Sequence, residues 1–217
     1  MPIVIFDLDG TLADSRDMLE DVFMTVMKRK LPDNFSKKNL QDYTDKDPRQ
    51  AVKTLGLSRL ELVYYILKAR RQIKSRRNQL EPIQGIETVL IYLKSNNIKM
   101  YVASSNSKLV VDAFLKNNRI DKYFTETWGR LGFFSKSKGL EKIISKLNIN
   151  KNEIIYIGDE IKDVNSCNQI KIKCISVAWG LNSASSLERV NPGMVVDSVN
   201  NLIKKLKIEN KLERQVK

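Results

Sequence analysis

The chain has 217 residues, 42% of them hydrophobic, with 38 lysines and arginines against 25 acids for a formal charge of +13. That length suits one core of ordinary size carrying a smaller inserted module. Histidine is absent, and the only cysteines, Cys167 and Cys174, lack any metal-like spacing. This excludes Ser-His-Asp and Cys-His catalysis and histidine zinc sites, and leaves acid-base work to Asp, Glu, Lys or Tyr. The cysteines read as small buried hydrophobes rather than a disulfide. No apolar run approaches a membrane span and the first is too short for a signal peptide, so a cytoplasmic protein with no membrane partner is expected. The positive excess favours phosphorylated or polyanionic partners, and equally suits a compositional bias toward Lys, Asn and Ile.

In chain order, the first element is an apolar strand, Ile3 to Phe6, that runs directly into Asp7 and Asp9. Leu19, Val22, Phe23, Val26 and Met27 then recur at helical spacing and predict an amphipathic helix over 17–30. After a broken polar stretch, Ser58 precedes Glu61 by three, a capping-box signature, and Leu62, Ile66, Ala69 and Ile73 continue one helical face to about Leu80. From Gly85 onward strands and helices alternate. Strands are expected at 98–104, 153–159, 173–180 and 193–198, with helices at 86–96, 107–118, 138–148, 162–170 and 198–209, and the tail 210–217 is expected to fray. The reading is α/β: a doubly wound, Rossmann-like parallel sheet formed by 1–12 and 83–217, with an all-helical insertion over 13–82.

In such sheets ligands bind beyond the carboxyl ends of the strands, near the switch point of strand order. Three strands end there on polar residues: Asp7 and Asp9, then Ser104 with Ser105 and Asn106, then Asp159 with Glu160. Two carboxylates about 4 Å apart repel by roughly 4 kcal/mol at an effective dielectric near 20, so such a cluster needs a cation. Oxygen donors without His or a suitable Cys point to a hard ion, and Mg²⁺ fits best. A carboxylate left uncommitted could then attack phosphorus. A lysine is also required, and either Lys136 or Lys138, both in "FFSKSKGLEKII", could reach the cluster.

The D-x-D-G-T run at Asp7 to Thr11, the strand-terminal Ser104, the downstream lysine and G-D-x-x-x-D at Gly158, Asp159 and Asp163 together resemble the haloacid dehalogenase superfamily of hydrolases. The resemblance spans nearly the whole chain, with the insertion standing where that family carries a helical cap. It implies Asp7 as nucleophile and Asp9 as general acid and base. Mg²⁺ would be held by Asp7, the backbone carbonyl of Asp9 and Asp159. Ser104 would bond the transferring phosphoryl group, Lys136 rather than Lys138 would balance charge on Asp7 and phosphate, and Asp163 would orient the metal ligands or the lysine. Gly10, Thr11, Ser105 and Asn106 are expected around the phosphate. The second acid, Asp9, favours phosphotransfer over dehalogenation.

"SSNS", "GDEIKD" and "VAWG" look most like phosphoglycolate phosphatase-type members, although Ser stands at 104 where Thr is more usual and no proline follows the lysine. A small phosphate monoester, phosphoglycolate-like or a sugar phosphate, is therefore the expected substrate. The alternatives within reach are a sugar-phosphate mutase, a nucleotide or nucleic-acid-end phosphatase, and a non-catalytic polyanion-binding protein. In the insertion, Arg49 is a candidate contact to a second anionic group on the substrate. "KARRQIKSRR" over 68–77 carries six basic residues in ten. It invites a nucleic-acid reading, but Ala69 and Ile73 sit on the apolar face, so a solvated helix surface is favoured. Trp128 and Trp179 read as packing residues, and the assembly is expected to be a monomer or homodimer.

Overall fold

The computed structural model describes residues 3–45, 52–132 and 136–215. Its centre is β1 (Ile3–Phe6), paired in parallel on one side with β2 (Lys99–Ala103) and on the other with β3 (Ile154–Gly158). Beyond β2 lies a short edge strand, β4 (Glu126–Trp128). Beyond β3 lie β5 (Lys173–Val177) and β6 (Val195–Val196), which gives a six-stranded sheet in the order β4-β2-β1-β3-β5-β6. The chain leaves β1 in one direction and returns on its other side, so the switch point falls at the end of β1.

The strands read as unbroken apolar runs because both faces of the sheet are covered. Val4 and Phe6 join Met100, Val102, Ile155 and Ile157 in one core. That side is packed by α1 (Ile86–Ser95), α2 (Lys108–Asn117) and α3 (Val199–Gln215). Ile3 and Ile5 face the other way, with Tyr101, Ala103 and Tyr156, under α4 (Lys136–Leu147) and α5 (Ile161–Ile170). Cys167 and Cys174 are free and buried in this second core.

Between β1 and α1 the chain carries helices α6 (Arg16–Met27), α7 (Lys37–Thr44) and α8 (Arg59–Ser75). The Ser58–Glu61 capping box forms as expected: Glu61 N–H donates to Ser58 Oγ at 3.3 Å and Ser58 N–H to Glu61 Oε2 at 3.0 Å, worth about 1 kcal/mol to α8. A core of Val22, Val26 and Ile73 joins α6 to α8. Lys68, Arg70, Arg71 and Lys74 are exposed, while Ile73 is buried.

Several elements differ from the sequence expectation. The segment 13–82 begins and ends on strand, since β7 (Ala13–Asp14) pairs antiparallel with β8 (Glu81–Pro82) where the chain enters and leaves the helical region. Strand β4 and helix α9 (Ala184–Val190) were not anticipated, the one being three residues without an apolar run and the other a seven-residue turn started by Ser183 Oγ accepting from Ser186 N–H. The expected strand over 193–198 shrinks to Val195–Val196, and the tail expected to fray continues α3 to Gln215.

Candidate active site

Parallel register carries three polar strand ends to one edge of the sheet. Phe6 lies level with Val102 and Ile157, so the next residues on β1, β2 and β3 emerge side by side. Asp7 N–H donates to Ile157 O at 2.8 Å, which extends the ladder one residue into the site. Asp7, Asp159 and Asp163 are 4%, 1% and 0% exposed, and each places a carboxylate oxygen within 4.8 Å of the others.

Lys136, 2% exposed at the start of α4, reaches into this cluster. Its Nζ donates to Asp7 Oδ2 and Asp163 Oδ1, both at 2.6 Å, and lies 5.0 Å from the centre of the Tyr156 ring. Lys138, two residues on, is exposed. Burial opposes the charge on Lys136, but Asp163 and Asp7 more than offset it and hold the ammonium well above its ordinary range. Burial likewise lifts Asp7 to about 6 against the pull of Lys136. Asp159 stands well above the usual carboxylate range through burial and the charges of Glu160, Asp163 and Asp7. With all three carboxylates ionised, one ammonium would leave two negative charges unbalanced, a deficit suited to a divalent cation.

The shell around the cluster is closely built. Thr11 Oγ1 donates to Asp159 Oδ1 at 3.0 Å and Leu181 N–H to Asp159 Oδ2 at 2.8 Å. Gly10 has φ +65°, and a Cβ there would overlap the Asp159 carboxylate. Both oxygens of Asp163 are engaged, Oδ1 by Lys136 and Oδ2 by Glu160 N–H at 3.2 Å. Trp179 does more than pack, donating from Nε1 to Thr11 O at 3.3 Å. Trp128 stacks on Tyr101 at 5.4 Å.

The carboxylate of Asp9 stands apart from the other three. Its Oδ2 accepts from Asn106 Nδ2 at 2.6 Å, while Oδ1 is buried without a hydrogen-bond partner. Burial and the charge of Asp7 raise it to about 7. Ser104 Oγ accepts Asn106 N–H at 3.1 Å. Above Asp9, Ser105 and Asn106 opens a cavity of about 310 Å³ walled mainly by α6, α7 and α8. Arg49 lies outside the described residues.

Sequence reasoning missed two features. Lys162, within the G-D-x-x-x-D run, pairs at 2.5 Å with Glu160, the residue already read beside Asp159 at the strand end, and both line the cavity. The second is a latch between α7 and the loop after β5. Asp45 accepts Ser183 N–H at 2.8 Å, Ser183 Oγ at 2.7 Å and Ser186 Oγ at 2.9 Å. Gln41 Nε2 donates to Leu181 O at 3.2 Å, and Asn182 Nδ2 donates to Thr44 O. Arg16 bridges Gly180 O at 3.1 Å and Gln41 Oε1 at 2.5 Å.

Among known proteins, the chain is 25% identical over 207 residues to the phosphoglycolate phosphatase of Synechococcus elongatus, covering 94% of this chain and 96% of that one. It is 22% identical over 205 residues to pyrophosphatase PpaX of Listeria welshimeri, covering 92% and 94%. A crystal structure of a predicted phosphatase from Clostridium acetobutylicum superposes with a TM-score of 0.81 at 23% identity, over 94% of this chain and 97% of that one. The description of haloacid dehalogenase-like hydrolases matches residues 4–177, and the chain belongs to that family.

Proposed function

We propose that the protein is a Mg²⁺-dependent phosphomonoesterase that works through an aspartyl-phosphate on Asp7. The observation that carries this reading is the pairing of unlike acids at the end of β1. Asp7 is pinned by Lys136 beside two further buried carboxylates, and Asp9 is held by Asn106 with its other oxygen buried and unpartnered. The naming of relatives as phosphoglycolate phosphatase and pyrophosphatase supports phosphoryl chemistry.

In this reading an Asp7 carboxylate oxygen attacks phosphorus, the bond from phosphorus to the leaving oxygen breaks, and protonated Asp9 donates its proton to that oxygen. Asp9, now ionised, takes a proton from water as the water attacks the phosphoryl group, which frees inorganic phosphate and restores both acids. Elevation of Asp9 to about 7 by burial and by Asp7 leaves a substantial protonated fraction at neutral pH. Ser104 and Asn106 orient the phosphoryl group, and Lys136 offsets the charge on Asp7. Asp163, both oxygens engaged, positions Lys136 and the turn at Glu160. The buried acids fit a divalent ion held by Asp7, Asp159 and the Asp9 carbonyl, and when bound Mg²⁺ would neutralise phosphate oxygens. The segment 13–82 serves as a cap that excludes water and reads the leaving group, and 1–12 with 83–217 is the catalytic core.

The test is phosphate release from a panel of phosphoglycolate, sugar phosphates, nucleotides and alkyl phosphates, with Mg²⁺ and with a chelator. Turnover that the chelator stops, and that Asp7→Asn abolishes while circular dichroism stays unchanged, is expected. Full activity in Asp7→Asn would refute the nucleophile.

A further inference from the structure

The cavity above Asp9 has an unusual lining for an enzyme of doubly charged small metabolites. Its floor, Asp9, Ser105 and Asn106, belongs to the candidate phosphoryl site, but its described walls are apolar side chains such as Phe23, Val26, Leu40, Tyr65 and Ile66. At about 310 Å³ it lies at the lower end of the range of small-molecule pockets. The buried cluster beside the cavity is Val22, Val26 and Ile73, with Met18, Leu19, Tyr65 and Ala69 partly buried against it. Apolar walls around such a space forfeit dispersion contacts unless a ligand supplies them.

The charges on the described lining point the same way. Asp9, Glu20 and Glu160 are acidic, and Arg70 and Lys162 basic. Lys162 is paired with Glu160 at 2.5 Å, Glu20 accepts Arg16 Nε at 3.2 Å, and Arg70 is exposed. The described walls therefore hold no surplus of positive charge for a carboxylate or second phosphate on the leaving group, and burying such an anion there would be costly. An alkyl or aryl body, in contrast, gains by leaving water.

We propose that the preferred substrate is a phosphate monoester of an apolar alcohol, its hydrocarbon body seated between α6, α7 and α8 and its phosphoryl group on Asp7. The inference rests on the phosphoryl-site reading for the orientation of the ligand. The apolar walls then set specificity. The leaving alcohol meets Asp9 at the floor of the cavity.

The experiment is calorimetric titration of the wild-type protein, in Mg²⁺, with n-alkylphosphonates from ethyl to octyl and with phosphonoacetate, alongside phosphate release from the matching primary alkyl phosphates. Primary alkyl leaving groups keep the alcohol pKa nearly constant, so chain length alone varies. Affinity is expected to rise by about threefold to fourfold per methylene until the cavity is filled, with phosphonoacetate weaker than butylphosphonate. Ala69→Phe, which projects into the cavity from α8, is expected to flatten the series. A flat wild-type series, phosphonoacetate binding tightest, or no measurable phosphonate binding would overturn the inference. A rising series without phosphate release from any ester would leave it standing and refute the hydrolytic reading instead.

Discussion

Lys136→Met isolates the charge of the buried lysine, because methionine keeps an unbranched apolar stem of similar length. In the native protein Nζ lies 2.6 Å from both Asp7 Oδ2 and Asp163 Oδ1, and the side chain is 2% exposed. Removing one partner of a buried ion pair costs about 3–5 kcal/mol, since the remaining charge can neither reach water nor find a counterion. At roughly 2–4 °C per kcal/mol for a chain of this size, the unfolding midpoint without added metal should fall by about 6–20 °C. Added Mg²⁺ should raise the variant's midpoint by more than the wild type's, because a bound cation restores part of the missing positive charge. Thermal unfolding followed by circular dichroism at neutral pH, with Mg²⁺ and with a chelator, measures both effects. A metal-free variant within about 2 °C of wild type would refute the claim that Lys136 balances these acids.

Gly10→Ala forces a side chain into φ +65° and against the Asp159 carboxylate; a loss of about 1–3 kcal/mol with a large fall in phosphate release is expected, and an active, equally stable variant would dismiss the close-approach argument. Asp45→Asn removes acceptor capacity from the latch and should cost about 1–2 kcal/mol at neutral pH by chemical denaturation. Burial acts to raise Asp45, but hydrogen bonds from Ser183, Ser186 and Gln41 prevail and hold it below its ordinary value. A depressed native pKa stabilises above the unfolded value of about 3.9 and loses that stabilisation as pH falls through the native one. The gap between wild type and Asp45→Asn should therefore be full near pH 6 and close below about pH 4, and a gap independent of pH would count against a charged latch.

The sheet and its acids were legible because both rest on short-range pattern. Apolar runs such as Ile3–Phe6 and Ile154–Gly158 admit few readings when each ends on an acid. Parallel pairing then brings together residues 152 positions apart, Asp7 and Asp159, without further information. Lys136 could be chosen over Lys138 only through resemblance, since two lysines two positions apart look alike until a helix start aims one of them inward. What escaped detection has no periodicity to read. The β7–β8 pair consists of two-residue strands, and β4 has three half-buried residues. The Asp45 latch joins residues about 140 apart through hydroxyls that are ordinary surface residues in sequence. The cavity is a property of how α6, α7 and α8 fail to fill the space between them, which no single segment encodes.

The loop from Gly180 to Asn182 touches two parts of the molecule at once. Leu181 N–H is a hydrogen-bond donor to Asp159, and Leu181 O, Gly180 O and the Asn182 amide hold α7 and Arg16. The bond to the acid and the bond to Arg16 leave the same peptide group, and the bond to Gln41 leaves the next one. Movement of α7 and Arg16 away from the core is therefore tied to this loop. A displacement that keeps these bonds drags on the donor to Asp159, and one that spares Asp159 must first break them. Access to the cavity and the electrostatic state of the acidic cluster share a single short stretch of backbone.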